Sequence, residues 1–370
     1  MKKFVNKRSL IYVGVFVVSA AVSFFGFSAT VFQSGALPFI GNKATVADTG
    51  QKDKPCPLNG AMHTKTQEDA WNQRRPLAVM IENHTDARPQ SGLSTADVVY
   101  ESVAEGGITR FMAIFLCNDA QDLAPVRSAR TYYLDWLSEY DALYSHVGGA
   151  NAAGPANALG QILEYEIKDV DNFSYAAPTY IRSDDKPAPH NVHTSTEKLW
   201  QLASKLGWAA KDDVTDKRWD EGFLPWQFKD DAKDLPAEKK MRVEFWSNQP
   251  DYTVDWQYDQ KSNSYKRIHS GQVQVDNANK QPVMPKVVVV QFTKESQAND
   301  GYPGNIHLIY KTIGSGKALI FQDGKVVEGT WNKQARTGRT KYMDASGAEI
   351  KFNRGQIWIQ NVPDFADVTY

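Results

Sequence analysis

The order of strand-forming and helix-forming segments constrains this fold more than any other feature of the sequence. Up to residue 240, apolar runs such as Leu77–Ile81 alternate with helical segments such as Ser195–Leu206. From residue 241 onward, runs such as Val287–Phe292 follow one another and are separated by turns. Alternation is typical of an α/β domain, and successive strands with turns are typical of an antiparallel sheet. We therefore predict an α/β N-terminal domain with an irregular connecting segment at 75–240, followed by a smaller, mostly antiparallel β C-terminal domain at 241–370.

The N-terminal region has the charge pattern of a membrane anchor. Residues 1–8 are basic, and residues 9–32 contain no charged side chain. A helix that spans a bilayer needs about 20 apolar residues, and its basic flank stays in the cytoplasm. We predict a cytoplasmic basic segment at 1–8, a single transmembrane helix at 9–32 and an extracytoplasmic linker at 33–74. A signal peptide cleaved near Ser34–Ala36 is the alternative, and both interpretations place the remaining chain outside the cytoplasm.

Charge and cysteine content narrow the class of protein. The formal net charge of the 370 residues is -1, so the composition provides no basic field for nucleic acid. Cys56 and Cys117 are the two cysteines of the chain. In an exported protein such a pair is compatible with one disulfide, and two unpaired thiols, with Cys117 buried at the end of a strand, are the alternative.

A predicted hairpin carries the first candidate site residues. Val98–Ala104 and Thr109–Leu116 flank a Gly-Gly turn, and a period of two places Glu101, Glu105 and Arg110 on one face. Two carboxylates on one face are compatible with the acid and base of a glycoside hydrolase. A cross-strand ion pair explains the same pattern without chemistry, and it is the interpretation that we favour.

Arg127 and Arg130 are candidate anion-binding residues. They fall in the first turn of a helix that we predict from about 126–128 to Tyr140. Cations are unfavourable at this end of a helix, and a bound anion would offset both their repulsion and the unpaired backbone N–H groups. Pairing with Glu101, Glu105 or Asp135 is the alternative.

Histidines complete the candidate site. His146 ends a predicted strand before Gly148–Gly149, at a position where ligands bind in open α/β sheets, and a core histidine bonded to the backbone is the alternative. His190 and Asn191 follow a proline-rich segment, and we expect them to anchor that loop or to contact the ligand. We predict no metal and no cofactor, because these prolines impose an extended segment without the fixed histidine spacing of a helical zinc site. The sequence has no nucleophile elbow, P-loop or dinucleotide fingerprint, and Gly314–Lys317, which lacks the P-loop spacing, is expected to form a β turn.

Several ordered stretches resemble one bacterial family, the YerB-like lipoproteins. They are Ala96–Glu101, Glu105–Arg110, Pro125–Arg130, His146–Gly149, Pro189–Asn191, Gly314–Lys317 and Gly329–Trp331. The resemblance runs from about Arg75 to Pro363 and implies a large N-terminal and a smaller C-terminal domain, both of unknown function. It implies no reaction and no catalytic residue. No cysteine closely follows the apolar segment and Cys56 is too distant for lipidation, so we expect a protein anchor in place of a lipid.

These observations lead to one main hypothesis and two alternatives. The main hypothesis is a membrane-anchored extracytoplasmic protein that binds an anionic or sugar-containing envelope ligand. The first alternative is a cell-wall hydrolase using Glu101 or Glu105 with His146. The second is an envelope assembly scaffold with an exposed apolar patch along Trp219–Phe228. The candidate ligand-binding residues are Glu101, Glu105, Arg110, Arg127, Arg130, His146, His190 and Asn191.

Overall fold

The computed structural model describes residues 48–301 and 307–370. The predicted cytoplasmic segment and the predicted transmembrane helix lie outside these residues, as does the first part of the predicted linker. Among the helices of the described part, none is long and apolar enough to cross a membrane. Residues Gly50–Tyr370 form one compact unit.

A disulfide ties the N-terminal segment to the end of a core strand. Cys56 lies between two short paired strands, β1 (Lys54–Pro55) and β2 (Met62–His63). Its partner is Cys117, both residues are buried, and their Cα atoms are 6.0 Å apart. The structure therefore has the disulfide rather than the two free thiols. A short helix, α1 (Lys65–Trp71), follows β2.

Four strands of the N-terminal part pair in one sheet. The second and third form the predicted hairpin, and the glycines of its turn, Gly106 and Gly107, have φ values of 58° and 80°. These angles lie in the left-handed region, which glycine adopts without steric cost. The first strand is antiparallel to the third and parallel to the fourth. The strands are β3 (Leu77–Glu82), β4 (Val98–Glu105), β5 (Ile108–Phe115) and β6 (Leu143–Ser145).

Helices and short strands alternate through the remainder of the N-terminal part. The first of these helices begins later than predicted, because the chain is still extended at Arg130, and it continues as a 3-10 helix at Ser138–Tyr140, where the predicted helix ends. These elements are α2 (Thr131–Leu137), α3 (Ala158–Glu164), β7 (Ile181–Arg182), β8 (Val192–His193) and α4 (Thr196–Lys205).

The C-terminal part consists mostly of strands, as predicted. Its described residues contain no α-helix. The first strand, β9 (Phe228–Lys229), belongs to the connecting segment. The others are β10 (Lys240–Glu244), β11 (Val254–Asp259), β12 (Ser264–His269), β13 (Gln272–Val273), β14 (Val287–Thr293), β15 (Glu295–Gln297), β16 (Leu308–Tyr310), β17 (Gly314–Gln322), β18 (Lys325–Lys333), β19 (Lys341–Asp344), β20 (Phe352–Asn353), β21 (Ile357–Pro363) and β22 (Asp367–Thr369).

One nine-stranded sheet runs through both parts of the chain. Its order is β19-β18-β17-β14-β21-β4-β5-β3-β6, and β21 lies parallel to both β14 and β4. A second sheet, in the order β13-β12-β11-β10-β22, is antiparallel. Trp256 of the second sheet packs edge-on against Trp358 of the first, and both are fully buried. The core therefore lies between the two sheets as well as under the N-terminal helices.

Candidate functional site

A β-bulge determines where Glu105 points. The pairing of β4 with β5 shifts between Val103 and Glu105, so that Glu105 is opposite Ile108. A bulge turns the following side chains to the other face of a strand. Glu105 therefore shares a face with Arg110, and the Arg110 guanidinium donates a hydrogen bond of 2.9 Å to Glu105 Oε1. Glu101 lies on the opposite face, directly across from Phe111, so the prediction of a face shared by Glu101, Glu105 and Arg110 was wrong.

Two arginines hold Glu105 as a carboxylate. Arg130 forms a second ion pair with Glu105 Oε1, and Arg110 also donates to the carbonyl of Ser128 at 2.9 Å. Burial alone would raise the pKa of Glu105, but the charges and hydrogen bonds of the two arginines outweigh it and lower the pKa to about 2. Glu105 is consequently ionised at neutral pH and has no proton to donate as a general acid.

Arg127 and Arg130 lie on an extended segment, not in a helix. The Arg127 N–H donates to the carbonyl of Met80 at 2.9 Å, and the Glu82 N–H donates to the carbonyl of Pro125 at 2.9 Å. The segment is thereby bonded to the end of β3, and α2 begins only at Thr131. The predicted first-turn position of the two arginines was wrong, because these backbone bonds keep the segment extended.

Glu82 joins the arginines to His190. Its Oε1 accepts a hydrogen bond of 3.0 Å from Arg127 Nε, and its Oε2 is 2.9 Å from His190 Nδ1. Glu82 is also the direct cross-strand neighbour of Arg110. We call the group formed by Glu82, Glu105, Arg110, Arg127, Arg130 and His190 the arginine cluster.

Glu101 is a core residue. Its side chain has no solvent exposure and forms an ion pair of 2.6 Å with Arg267 Nη2, which is equally buried. Its second oxygen accepts from Trp358 Nε1 at 2.9 Å and from Gln360 Nε2 at 3.1 Å. A carboxylate enclosed in this way stabilises the packing of the two sheets and cannot reach a ligand.

His146 is also enclosed. The side chain has no exposure, its Nδ1 is 2.8 Å from the carbonyl of Gly148, and its Nε2 is 2.8 Å from Asp169 Oδ1. The Gly148 N–H donates to Asp171 Oδ1 at 2.7 Å, which closes the loop around the ring. His146 therefore anchors this loop, which is the structural alternative to its predicted ligand contact.

Asn191 anchors the β7–β8 hairpin. Its Oδ1 accepts from Arg182 at 2.8 Å, and its Nδ2 donates to the carbonyl of Ser183 at 2.8 Å. His193 is paired with Asp122 at 2.8 Å. Both side chains thus hold the loop that presents His190, in agreement with the anchoring role considered for this segment.

The structure brings together five of the eight predicted residues, which are Glu105, Arg110, Arg127, Arg130 and His190. The sequence interpretation missed Glu82, although it follows the apolar strand Leu77–Ile81 directly, at the same kind of strand end as His146. It also missed His84, whose ring stacks on that of His190 with 5.0 Å between centroids. A search for polar residues at every strand end would have found both.

Several surface cavities lie away from the arginine cluster. The cavity beside α2 has a volume of about 530 Å³ and is lined by charged residues that include Glu139, Asp141, Lys168 and Arg336. Two others, of about 660 and 640 Å³, are lined by Trp200 and Asp119 and by Trp331 and Lys317. None of these three is lined by a predicted site residue.

Both parts of the chain match one family of proteins. Residues 62–209 match the model described as "Protein of unknown function (DUF3048) N-terminal domain", and residues 241–359 match that of the C-terminal domain of the same family. The chain therefore belongs to this two-domain family, as its motifs predicted.

Relatives with sequence and structure similarity support the same assignment. "Putative lipoprotein YerB" of Bacillus subtilis (strain 168) is 34% identical over 324 residues, which are 87% of this chain and 90% of that protein. The crystal structure of the YerB protein from Bacillus subtilis matches with a TM-score of 0.70 at 28% identity, and the match covers 86% of this chain and 100% of the other.

Proposed function

We propose that this protein is anchored in the cell membrane by residues 9–32 and that its bulk works in the extracytoplasmic part of the bacterial envelope. The charge-free segment behind a basic flank supports the anchor. The disulfide Cys56–Cys117 supports an oxidising compartment. A relative described as a lipoprotein supports an envelope location.

Within this location, the proposed activity is binding of an anionic or sugar-containing envelope ligand by the arginine cluster. Arg127 is the observation that carries it. Its side chain is 26% exposed, and among the described residues its side-chain hydrogen bonds come only from Nε, to Glu82. The terminal N–H groups therefore point toward solvent from a guanidinium that is already fixed in place. Such a group can bind phosphate or carboxylate with little further loss of side-chain entropy.

The charges of the cluster favour an anion. Three guanidinium groups, those of Arg110, Arg127 and Arg130, face two carboxylates, those of Glu82 and Glu105. One positive charge is left over when His190 is neutral. Arg110 and Arg130 are buried and each is paired with Glu105, so they support the site while Arg127 makes the contact.

The two alternatives receive less support from the geometry. A hydrolase using Glu101 or Glu105 with His146 would need a carboxylate and an imidazole in one accessible pocket. Glu101 and His146 have no exposure, and Glu105 is held by two arginines. For a scaffold, the aromatic segment Trp219–Phe228 is no open patch, because Trp219 and Trp226 are 5% and 3% exposed.

Calorimetric titration of the full-length chain tests the proposal. The ligands would be teichoic-acid fragments, muropeptides and inorganic phosphate, compared between wild type and Arg127→Ala. A charge-assisted hydrogen bond contributes about 1.5–3 kcal/mol, so we expect Arg127→Ala to weaken binding by roughly 10-fold or more.

Arg242→Ala is the matched control. Arg242, like Arg127, is an arginine that reaches solvent and is paired with carboxylates, but it lies on β10 in the other sheet. We expect it to bind like wild type. Equal binding by both variants, or no binding of any of these anions by wild type, would refute the proposed role of the cluster.

A further inference from the structure

Two histidines and an aspartate meet on the surface beside the arginine cluster. His84 and Asp86 belong to the turn that follows β3, and His190 comes from the loop before β8. Each of the three offers one atom suited to a metal, and these atoms lie within 4.8 Å of one another. The two imidazole rings are stacked with an angle of 19° between their planes. Residues far apart in the sequence thus present two imidazoles and a carboxylate to one point.

The local geometry of His84 and Asp86 suits a shared ion. The Asp86 N–H donates a hydrogen bond of 3.2 Å to His84 Nδ1, so this nitrogen carries the lone pair on the side of Asp86, and an ion bound there would replace the hydrogen bond. The same nitrogen is 3.6 Å from Asp86 Oδ2. Two ligands of a tetrahedral zinc ion, each at about 2.0–2.1 Å, are about 3.3 Å apart. A small rotation of the exposed carboxylate would bring the pair to that separation.

A buried carboxylate fixes the third ligand. Glu82 Oε2 is 2.9 Å from His190 Nδ1, and Arg127 holds the other oxygen of Glu82. A histidine that donates Nδ1–H to a carboxylate keeps its lone pair on Nε2, and this arrangement is usual behind metal-bound histidines. Glu82 is nearly buried, whereas His84 and His190 are partly exposed and Asp86 is exposed. Glu82 therefore holds the His190 ring in an orientation that leaves Nε2 available to a metal ion.

We propose that His84, Asp86 and His190 bind one divalent transition-metal ion, with Zn²⁺ as the best match to their chemistry. Two imidazole nitrogens and one carboxylate oxygen are a common zinc ligand set, and three protein ligands leave a fourth position for water or a ligand. This proposal revises the prediction from the sequence that no metal binds. It does not depend on the anion-binding function, although the two share Glu82 and His190.

Titration of the metal-free, full-length protein with Co²⁺ tests this site in a buffer without phosphate. Tetrahedral Co²⁺ gives visible absorption bands, and Zn²⁺ added afterwards should displace it. We expect one ion per chain and binding at least about 10-fold weaker in His84→Ala, Asp86→Ala and His190→Ala, because the loss of even an outer partner weakens metal sites by that factor.

His193→Ala is the matched control, because His193 lies three residues after His190, on β8, but pairs with Asp122. It should bind Co²⁺ like wild type. Substitutions of the surface residues His84 and Asp86 leave the core untouched, so their result stands even if His190→Ala loosens the loop. Absence of the visible bands in wild type, or unchanged affinity in both His84→Ala and Asp86→Ala, would overturn the proposal.

Discussion

At the scale of single residues, Glu105 shows how one irregularity in a strand reassigns a side chain. A strict period of two would place it beside Glu101 in the interior between the sheets. The bulge after Val103 instead turns it toward Arg110 and Arg130. Residue type and spacing alone indicate that Glu105 and Arg110 are neighbours, but the bulge decides which other residues join them.

The arginines make the stability of the protein depend on the charge of Glu105. The pKa of Glu105 falls from 4.5 to about 2 on folding. The contribution of its charge to the free energy of unfolding is therefore complete above pH 4.5 and is lost as the pH falls toward 2. We expect Glu105→Gln to lower the free energy of unfolding by about 2–3 kcal/mol at pH 6, and by much less at pH 3. Urea unfolding at the two pH values measures this. The exposed Glu238→Gln should show no such difference, and a pH-independent loss in Glu105→Gln would contradict the assignment.

At the scale of elements, strands that contain an apolar run are predicted well, and β18, which has none, is missed. Leu77–Glu82 and Val287–Thr293 are apolar because both faces are covered, and the sequence pattern found them. In β18 (Lys325–Lys333), buried Trp331 and Lys333 alternate with exposed residues, so no apolar run marks the strand. Gly314–Lys317, expected as a turn, is the start of β17, where Gly316 packs against Trp331.

The N-cap of α4 is also predicted at the wrong residue. The sequence pattern indicates a capping box of Thr194 with Glu197, but the N-cap is Ser195, whose side chain accepts from the Lys198 N–H at 3.2 Å. Thr194 instead donates its hydroxyl to the carbonyl of Thr179 at 2.9 Å. Thr194 and Ser195 are both suitable N-cap residues, and the hydrogen bond of Thr194 to Thr179 leaves Ser195 as the N-cap.

Ser195→Ala tests that assignment. Loss of an N-cap hydroxyl typically costs about 1 kcal/mol, and we expect this decrease in the free energy of unfolding in urea. Ser204→Ala, on the exposed side of the same helix, is the control and should change stability by no more than about 0.5 kcal/mol. A smaller loss in Ser195→Ala than in Ser204→Ala would mean that the hydroxyl does not cap the helix.

At the scale of the whole molecule, the sequence predicts the two classes of structure but not how they join. Periodicity reports which residues of a strand are buried, and it carries no information about which strand lies alongside. The pairing of β21 with β4 connects Ile357 to Val98, and Arg267 reaches Glu101 across 166 residues. For the same reason Glu82, Arg127 and His190 could each be noticed at a segment end, but their meeting depends on how the end of β3 and two loops pack together.

This shared sheet predicts that the two family regions do not fold separately. Without residues 241–370, β4 would lose its parallel neighbour β21 and become an open edge, while the sheet face around Glu101 would lose the side chains that cover it, among them Arg267, Trp358 and Gln360. An open strand edge leaves backbone N–H and C=O groups unpaired, and an uncovered sheet face exposes apolar side chains to water. We expect residues 50–240 alone to lack a cooperative urea transition and a structured near-ultraviolet circular dichroism spectrum, whereas residues 50–370 should unfold in one transition. Leucine in place of Glu101 in the fragment tests whether the unpaired carboxylate adds to the loss of stability, because it removes that charge and leaves the open edge. A cooperative transition in the unmodified fragment would show that β4 tolerates the edge and that the N-terminal region is an independent folding unit.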